Sequence, residues 1–569
     1  MKLKFPGLIL LAGMGLLTAC APKNGPVADL VLKNGNIHTM NGAGIRAEAL
    51  AIKDGRFLFV GTNKEAKRFI GKETRTVDLG GKLVLPGFID SHCHPSAAIE
   101  QFGAVALFGL NSVEEYRKAI VDFVNAHPGA TVIRGSGWSN PVFGPAGPDK
   151  AILDELVKDL PVAVSSEDGH STWVNSRTLD LAGVTKETKN PPGGIIERDP
   201  KTGEPSGTLR ESAADLVSKV IPDYTVEELA RGLEEYQTMA LDFGITTSHD
   251  ASLDLGGNDL KAYKVLEASE KLRMRFRGSL YTDPEKGPEQ VLELAAERDR
   301  NRSPLFQIRA AKIFVDGVVE GGTAYLKEPY AHRPGYRGEP LWTPEALNMI
   351  CAGLDKEGFQ LHFHAIGDAA VAEALDGVAY AARVNGRRDS RALITHLQLV
   401  SPEDLLRFKT LGVVAVTQPF WFMKDDYYSK IQVPYLGLKR ADEEYPMESF
   451  FKAGVIVTSS SDYTVTIPCD PIQAIQTGMT RSVPGSTDPG SVLWPKERAS
   501  LEQMIASFTV NGAYANFLEN TTGTIETGKS ADLVVLDKNL FELPADKIGT
   551  AKVILTFFEG REASPKRFP

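Results

Sequence analysis

Two rhythms of apolar residues divide this chain. Near its start, Asp29-Leu-Val-Leu-Lys-Asn-Gly-Asn-Ile-His38 and Ala49-Leu-Ala-Ile-Lys-Asp-Gly-Arg-Phe-Leu-Phe-Val-Gly61 read as short strands. Asn34-Gly35 and Asp54-Gly55 supply tight turns. The same style returns at 523–537 and 553–560. The economical reading is one small β-sandwich domain built from both ends of the chain, residues 21–84 and 519–569. Between them, apolar runs alternate with helical stretches, the pattern of parallel β/α units. Eight runs can be counted, at 83–92, 244–251, 273–281, 306–316, 358–364, 392–398, 412–417 and 454–462. Eight such units close a (β/α)8 barrel, so the predicted fold class is α/β, a TIM barrel over 85–518. Its chemistry would lie at the C-terminal ends of the strands. The gap between the first two runs is too long for one crossover. Residues 112–240 are therefore expected to hold an insertion after the first strand, placed to cover the site.

Length and charge narrow the function. A chain of 569 residues has room for two or three domains. Its net charge of −10 argues against a nucleic-acid partner, which needs a basic footprint. The N-terminus stands apart from the fold. A short basic start precedes an apolar run over 8–17, too short to span a membrane as a mature helix. Leu17-Thr-Ala-Cys20 follows, the pattern of a bacterial lipoprotein signal over 1–20, with Cys20 carrying lipid. The alternative is an ordinary secretory signal with a coincidental cysteine. By resemblance to such signals, Ala21 rather than Asp after Cys20 implies the outer membrane, on the periplasmic side, with Cys20 as the only expected membrane contact. A homo-oligomer is possible. The three remaining cysteines, Cys93, Cys351 and Cys469, form no disulfide framework and read as small core residues.

The candidate chemistry sits where the apolar runs end. Leu85-Pro-Gly-Phe-Ile-Asp-Ser-His-Cys-His-Pro95 closes in imidazoles at i and i+2. In a strand both point the same way, while Cys93 faces the opposite side. A lone His-x-His is a weak signal. It gains weight because the fourth run carries Lys312, the fifth His364, the sixth His396 and the eighth Asp462. Imidazole and carboxylate suit zinc and related divalent ions. Lys312 is open to three readings: an ammonium reaching solvent, a partner of Asp316, or a neutral amine that takes up carbon dioxide as a metal-bridging carbamate. In the insertion, Trp138 and His170 are candidates for a pocket wall and for carbonyl contact, against packed-loop roles. Trp421, after the seventh run, is a further pocket candidate, against a role in surface packing. His362 reads as a hydrogen-bonded core histidine, and His249 as a support or pocket wall.

These pieces together resemble the amidohydrolase superfamily, in particular amidohydrolase family 3, which includes N-substituted formamide deformylases. The resemblance rests on Pro86-Gly-Phe-Ile-Asp-Ser-His-Cys-His94, Asp168-Gly-His-Ser-Thr-Trp-Val-Asn175, Lys312-Ile-Phe-Val-Asp-Gly317, His364-Ala-Ile-Gly-Asp368, Thr395-His396, Ser461-Asp462 and Gly528-Lys-Ser-Ala-Asp-Leu-Val-Val-Leu-Asp537. It covers nearly the whole chain. It implies a metal-bearing barrel and a split β domain. One ion would take His92, His94 and Asp462, and a second His364 and His396. Two Zn2+ would be bridged by carboxylated Lys312, with a one-metal centre as the alternative. The implied reaction is attack of a metal-bridging hydroxide on a small-molecule amide, an N-acyl or N-formyl amine, with Asp462 moving the proton and His170 at the carbonyl. A cyclic amidohydrolase or deaminase using the same centre is the alternative, and a non-catalytic metal- or substrate-binding lipoprotein a third. Thr395 departs from the family, which often has Glu there. That side chain is expected to face away from the metal.

Overall fold

The computed structural model describes residues 26–42 and 44–563, so the signal-type segment and Cys20 lie outside the described residues. Eight parallel strands form one sheet: β1 (Phe88–Cys93), β2 (Ile245–Leu253), β3 (Arg275–Tyr281), β4 (Phe306–Phe314), β5 (Gln360–Ala365), β6 (Leu393–His396), β7 (Val414–Thr417) and β8 (Val457–Ser459). Each strand pairs in parallel with the next. Lys312 lies opposite His362, and Ala365 opposite His396. At the seam, Asp462 N–H donates to the His92 carbonyl at 2.9 Å and the Ser91 and Thr458 hydroxyls lie 2.6 Å apart. The sheet thereby curls into a barrel. Both of its faces are covered, which explains strands that are buried along their length rather than at every second residue.

One outer helix shows how a local cap sets its start. Thr343 accepts the Ala346 N–H and Pro344 opens helix Pro344–Lys356. Its Leu347, Ile350 and Leu354 enter the barrel core beside Ala370, Ala374 and Leu375 of helix Asp368–Asn385. Among the described residues, no helix is long and apolar enough to cross a membrane.

The apolar run at 83–92 is two strands rather than one. Leu83–Pro86 pairs with Leu533–Leu536 and with Asn36–His38, outside the barrel, and β1 begins only at Phe88. Gly87 makes the break possible: a Cβ there would sit 2.4 Å from Thr246 Oγ1. The strand Leu83–Pro86 belongs to a six-stranded sheet completed by Arg46–Ala47, Val553–Phe558 and Arg561–Glu562. A four-stranded sheet of Leu30–Lys33, Ala49–Lys53, Arg56–Gly61 and Arg75–Asp78 packs near it. Leu32, Leu50, Phe57, Val84, Val535 and Phe557 share the core between them.

A fourth sheet follows β1. It runs Ile195–Arg198, Pro205–Arg210, Ser171–Val174, Val162–Ser166, Ile133–Trp138 and Val105–Ala106. It therefore begins before the expected boundary at 112. The far end of the expected span also differs. A capping box at Thr225 and Glu228 starts helix Val226–Asp242, which buries Leu229, Leu233, Tyr236 and Leu241 in the barrel core.

Candidate metal centre

The imidazoles of His92, within β1, and His94, just after it, converge on one carboxylate. His92 Nε2 lies 3.4 Å and His94 Nε2 3.3 Å from Asp462 Oδ1, while His396 Nδ1 is 3.7 Å from Asp462 Oδ2. Cys93 points the other way, its Sγ 3.6 Å from the Tyr236 hydroxyl. Asp462 is not a strand residue. β8 stops at Ser459, and Asp462 follows on a bend with φ of 55°. Asp90 holds that bend: its carboxylate accepts the Ser461 N–H at 3.0 Å and the Ser461 hydroxyl. Burial pushes the Asp90 carboxyl up to about 7, against those hydrogen bonds.

Lys312, on β4, is buried, with Nζ 3.2 Å from His92 Nε2. Burial pulls its ammonium down to about 7, against the attraction of Asp462. Asp316, one partner considered for Lys312, instead accepts the N–H groups of Tyr325, Ile366 and Gly367. His364 Nε2 lies 3.1 Å from the Gly317 carbonyl, and its ring is 4.4 Å from that of His396. Burial first, and neighbouring cations second, hold His92, His364 and His396 well below the usual imidazole value. All three are therefore neutral and keep a lone pair for a metal.

The donor set fits a divalent ion. Ligand atoms of His92, His94 and Asp462 lie within 4.8 Å of one another. Asp462 Oδ1 and His396 Nδ1 are buried without a hydrogen-bond partner, a situation native interiors rarely leave uncompensated. His94 keeps a quarter of its side chain exposed, so the cluster opens on one side.

The other candidates separate. His170 reaches the mouth, its ring 5.2 Å from that of His364. Its Nδ1 is 2.8 Å from Glu211 Oε2. Burial opposes the charged ring, but the Glu211 carboxylate outweighs it and holds His170 up to about 9. Trp421 stacks on His396 at 5.9 Å and donates its indole N–H to Thr466. Trp138 does not line the site. It is fully buried in the insertion's own core beside Phe143, and its indole N–H donates to the Val164 carbonyl. A large ring with its one donor satisfied internally completes that small core, which corrects the expected pocket role.

Three groups escaped the reading from sequence. Glu211 follows strand Pro205–Arg210 on a residue with φ of 49°, and nothing local marks it as the partner of His170. Ser279 and Asn516 support the histidines of β2 and β5 from distant segments. Thr395 was expected to face away. Its hydroxyl instead lies 3.1 Å from His362 Nε2, inside the barrel one layer below the centre. Alternation requires an extended backbone, and His396 and Leu397 end β6 at φ of 77° and 54°.

With this geometry in hand, the relatives are consistent. Residues 75–563 match the model of the amidohydrolase family, and the chain belongs to that family. It is thus a metal-dependent hydrolase with a divalent metal centre, for which His92, His94 and Asp462 are suited. It is 33% identical to the protein LONG AFTER FAR-RED 3 of Arabidopsis thaliana, over 96% of this chain and 94% of that one. It is 26% identical to the N-substituted formamide deformylase of Arthrobacter pascens, over 94% and 97%. Among solved structures, an uncharacterized metal-dependent hydrolase from Pyrococcus furiosus aligns with a TM-score of 0.68 at 27% identity, covering 90% of this chain and 99% of that one.

Proposed function

We propose that this protein hydrolyses non-peptide amide bonds of N-acyl or N-formyl amines. The observation that carries the reading is Lys312, buried with Nζ 3.2 Å from His92 Nε2 and with its ammonium pulled down to about 7. A neutral amine at this point is the form that takes up carbon dioxide. His92, His94 and Asp462 would hold one divalent ion, and His364 and His396 a second, with carboxylated Lys312 between them. When bound, such ions supply Lewis acidity, acidifying water and polarising a carbonyl. Asp462 accepts a proton at its carboxylate and delivers it to the leaving nitrogen. His170, anchored through Nδ1 to Glu211, donates from Nε2 to the carbonyl oxygen. Trp421, stacked on His396, walls the amine side. The similarity to a formamide deformylase supports this choice of bond. We propose separately, from the sequence around Leu17-Thr-Ala-Cys20, that the mature chain lies on the periplasmic side of the outer membrane, anchored by lipid on Cys20.

The test is a panel of N-formyl and N-acyl amines given to metal-replete protein, beside cyclic amides and amino-heterocycles. Release of free amine with formate or another acid is the expected result. Ring-opened acid or ammonia alone would instead indicate a cyclic amidohydrolase or a deaminase and refute the proposal. Inertness across the whole panel would also refute it.

A further inference from the structure

Below the metal centre, three buried histidines stand in file. His92 Nδ1 is 2.7 Å from His362 Nε2. His362 Nδ1 is 2.8 Å from Ser279 Oγ, and the same Oγ is 2.8 Å from His249 Nε2. His249 Nδ1 is 2.8 Å from Asn516 Oδ1. The strands β1, β5, β3 and β2 each contribute one of these groups, and Asn516 closes the file just after helix Val510–Ala515. All five residues are at most 2% exposed, three of them at 0%.

The direction of the hydrogen bonds is set from the far end. The Asn516 amide N–H donates to the Gly512 carbonyl at 2.9 Å, which leaves Oδ1, an acceptor, facing His249. His249 must therefore carry its proton on Nδ1. Burial holds His249 down to about 4, so its Nε2 is bare and accepts from Ser279. The serine has one proton and spends it there. Its oxygen can then only accept from His362 Nδ1–H. His362 Nε2 is left bare and accepts from His92 Nδ1–H at 2.7 Å, the shorter of its two contacts, the other being the Thr395 hydroxyl at 3.1 Å. His92 Nε2 is left bare in turn, and that is the atom 3.4 Å from Asp462 Oδ1. Reversing the file would put a proton on the very nitrogen that faces the carboxylate and would require Asn516 to turn its amide away from Gly512.

We propose that His362, Ser279, His249 and Asn516 form a one-way relay of positioning residues that fixes His92 as the Nδ1–H tautomer and presents its bare Nε2 to the metal centre. The relay rests on the reading of His92 as a ligand, and not on which substrate is cleaved. It acts through His92 alone, because none of its members is among the donor atoms. Side chains that orient a ligating histidine in this way are worth about 10–100-fold in metal affinity.

The experiment uses full-length protein with 15N-labelled histidine, in zinc-loaded and chelator-stripped forms. Ring 15N shifts report which nitrogen carries the proton. The wild type should show Nδ1–H at His92, His362 and His249 in both forms. Ser279→Ala cuts the file between His362 and His249 while removing one oxygen. It should scramble the His362 and His92 tautomers in the stripped form and weaken zinc binding by about 10–100-fold in chelator competition. Nε2–H at His92 in the stripped wild type would overturn the proposal, whatever the variant does. So would a folded Ser279→Ala protein with unchanged tautomers and zinc affinity. Failure of the substrate panel alongside the expected shifts would discard the amide reading and leave the relay standing.

Discussion

Lys312 should be a liability to the fold until the metal arrives. Its ammonium falls from an ordinary 10.5 to about 7 because burial strips its hydration. A folded-state value below the unfolded one means that the unfolded chain holds the proton more tightly. No penalty exists above about pH 10.5. As pH falls, the folded state loses ground at about 1.4 kcal/mol per unit until the folded group itself protonates near 7, giving about 5 kcal/mol in all. Lys312→Met keeps the volume and removes the charge. In metal-free protein it should therefore be more stable than wild type near neutral pH by up to about 5 kcal/mol, and the advantage should shrink by about 3 kcal/mol between about pH 7 and 9.5. Urea unfolding of both proteins across that range reads the difference. In zinc-loaded protein the order should reverse, since the variant loses the ligand and with it the stabilisation that binding gives the native state. Lys312→Ala should lower zinc content and activity, and short carboxylic acids should restore part of both. A metal-free Lys312→Met protein no more stable than wild type, or an advantage that does not change with pH, would refute the buried neutral amine. Unchanged zinc loading in Lys312→Ala would refute the bridge.

Other consequences are independent of that lysine. Asp462→Asn should keep the fold and lower kcat by about 10²–10⁴ with zinc retained in part; wild-type turnover at full metal loading would remove Asp462 as the proton carrier. His170 sits above its ordinary 6.5, at about 9, so its pairing with Glu211 is fully present below pH 6.5 and lost as pH rises through 9. Glu211→Gln should flatten that part of the stability–pH curve of metal-free protein by at most about 3 kcal/mol, and an unchanged slope would count against the pair. Cys20→Ala should move the protein from the membrane fraction to the soluble periplasmic fraction, and continued membrane association would count against lipidation.

The strand ends were legible because a parallel barrel imposes one rule on eight separate segments: the last residues of each apolar run meet at one mouth. That rule brings His92, His94, Lys312, His364, His396 and Asp462 together without any knowledge of the loops. It fails where an apolar run or a strand end does not belong to the barrel. Gly87 divides one apolar run between two sheets, and nothing in hydrophobicity distinguishes Leu83–Pro86 from β1. Trp138 looks like a pocket aromatic because it ends a strand, but that strand belongs to the insertion's sheet and feeds a separate small core. Glu211 has no periodic context, so its partnership with His170 exists only once the insertion is folded.

Thr395 shows what this means for chemistry. By alternation it should have turned outward, and its replacement of the more usual glutamate would then have touched only packing. The backbone of β6 instead turns left-handed at His396, so His396 reaches the mouth while Thr395 keeps its hydroxyl inside, beside His362 Nε2. The residue that departs from the family pattern thus touches the file of histidines behind His92. A carboxylate at this position would place a charge against a buried imidazole and favour the protonated ring, whereas a hydroxyl leaves the ring neutral. The neutral file and the short polar side chain at 395 are therefore one physical arrangement, read from two strands.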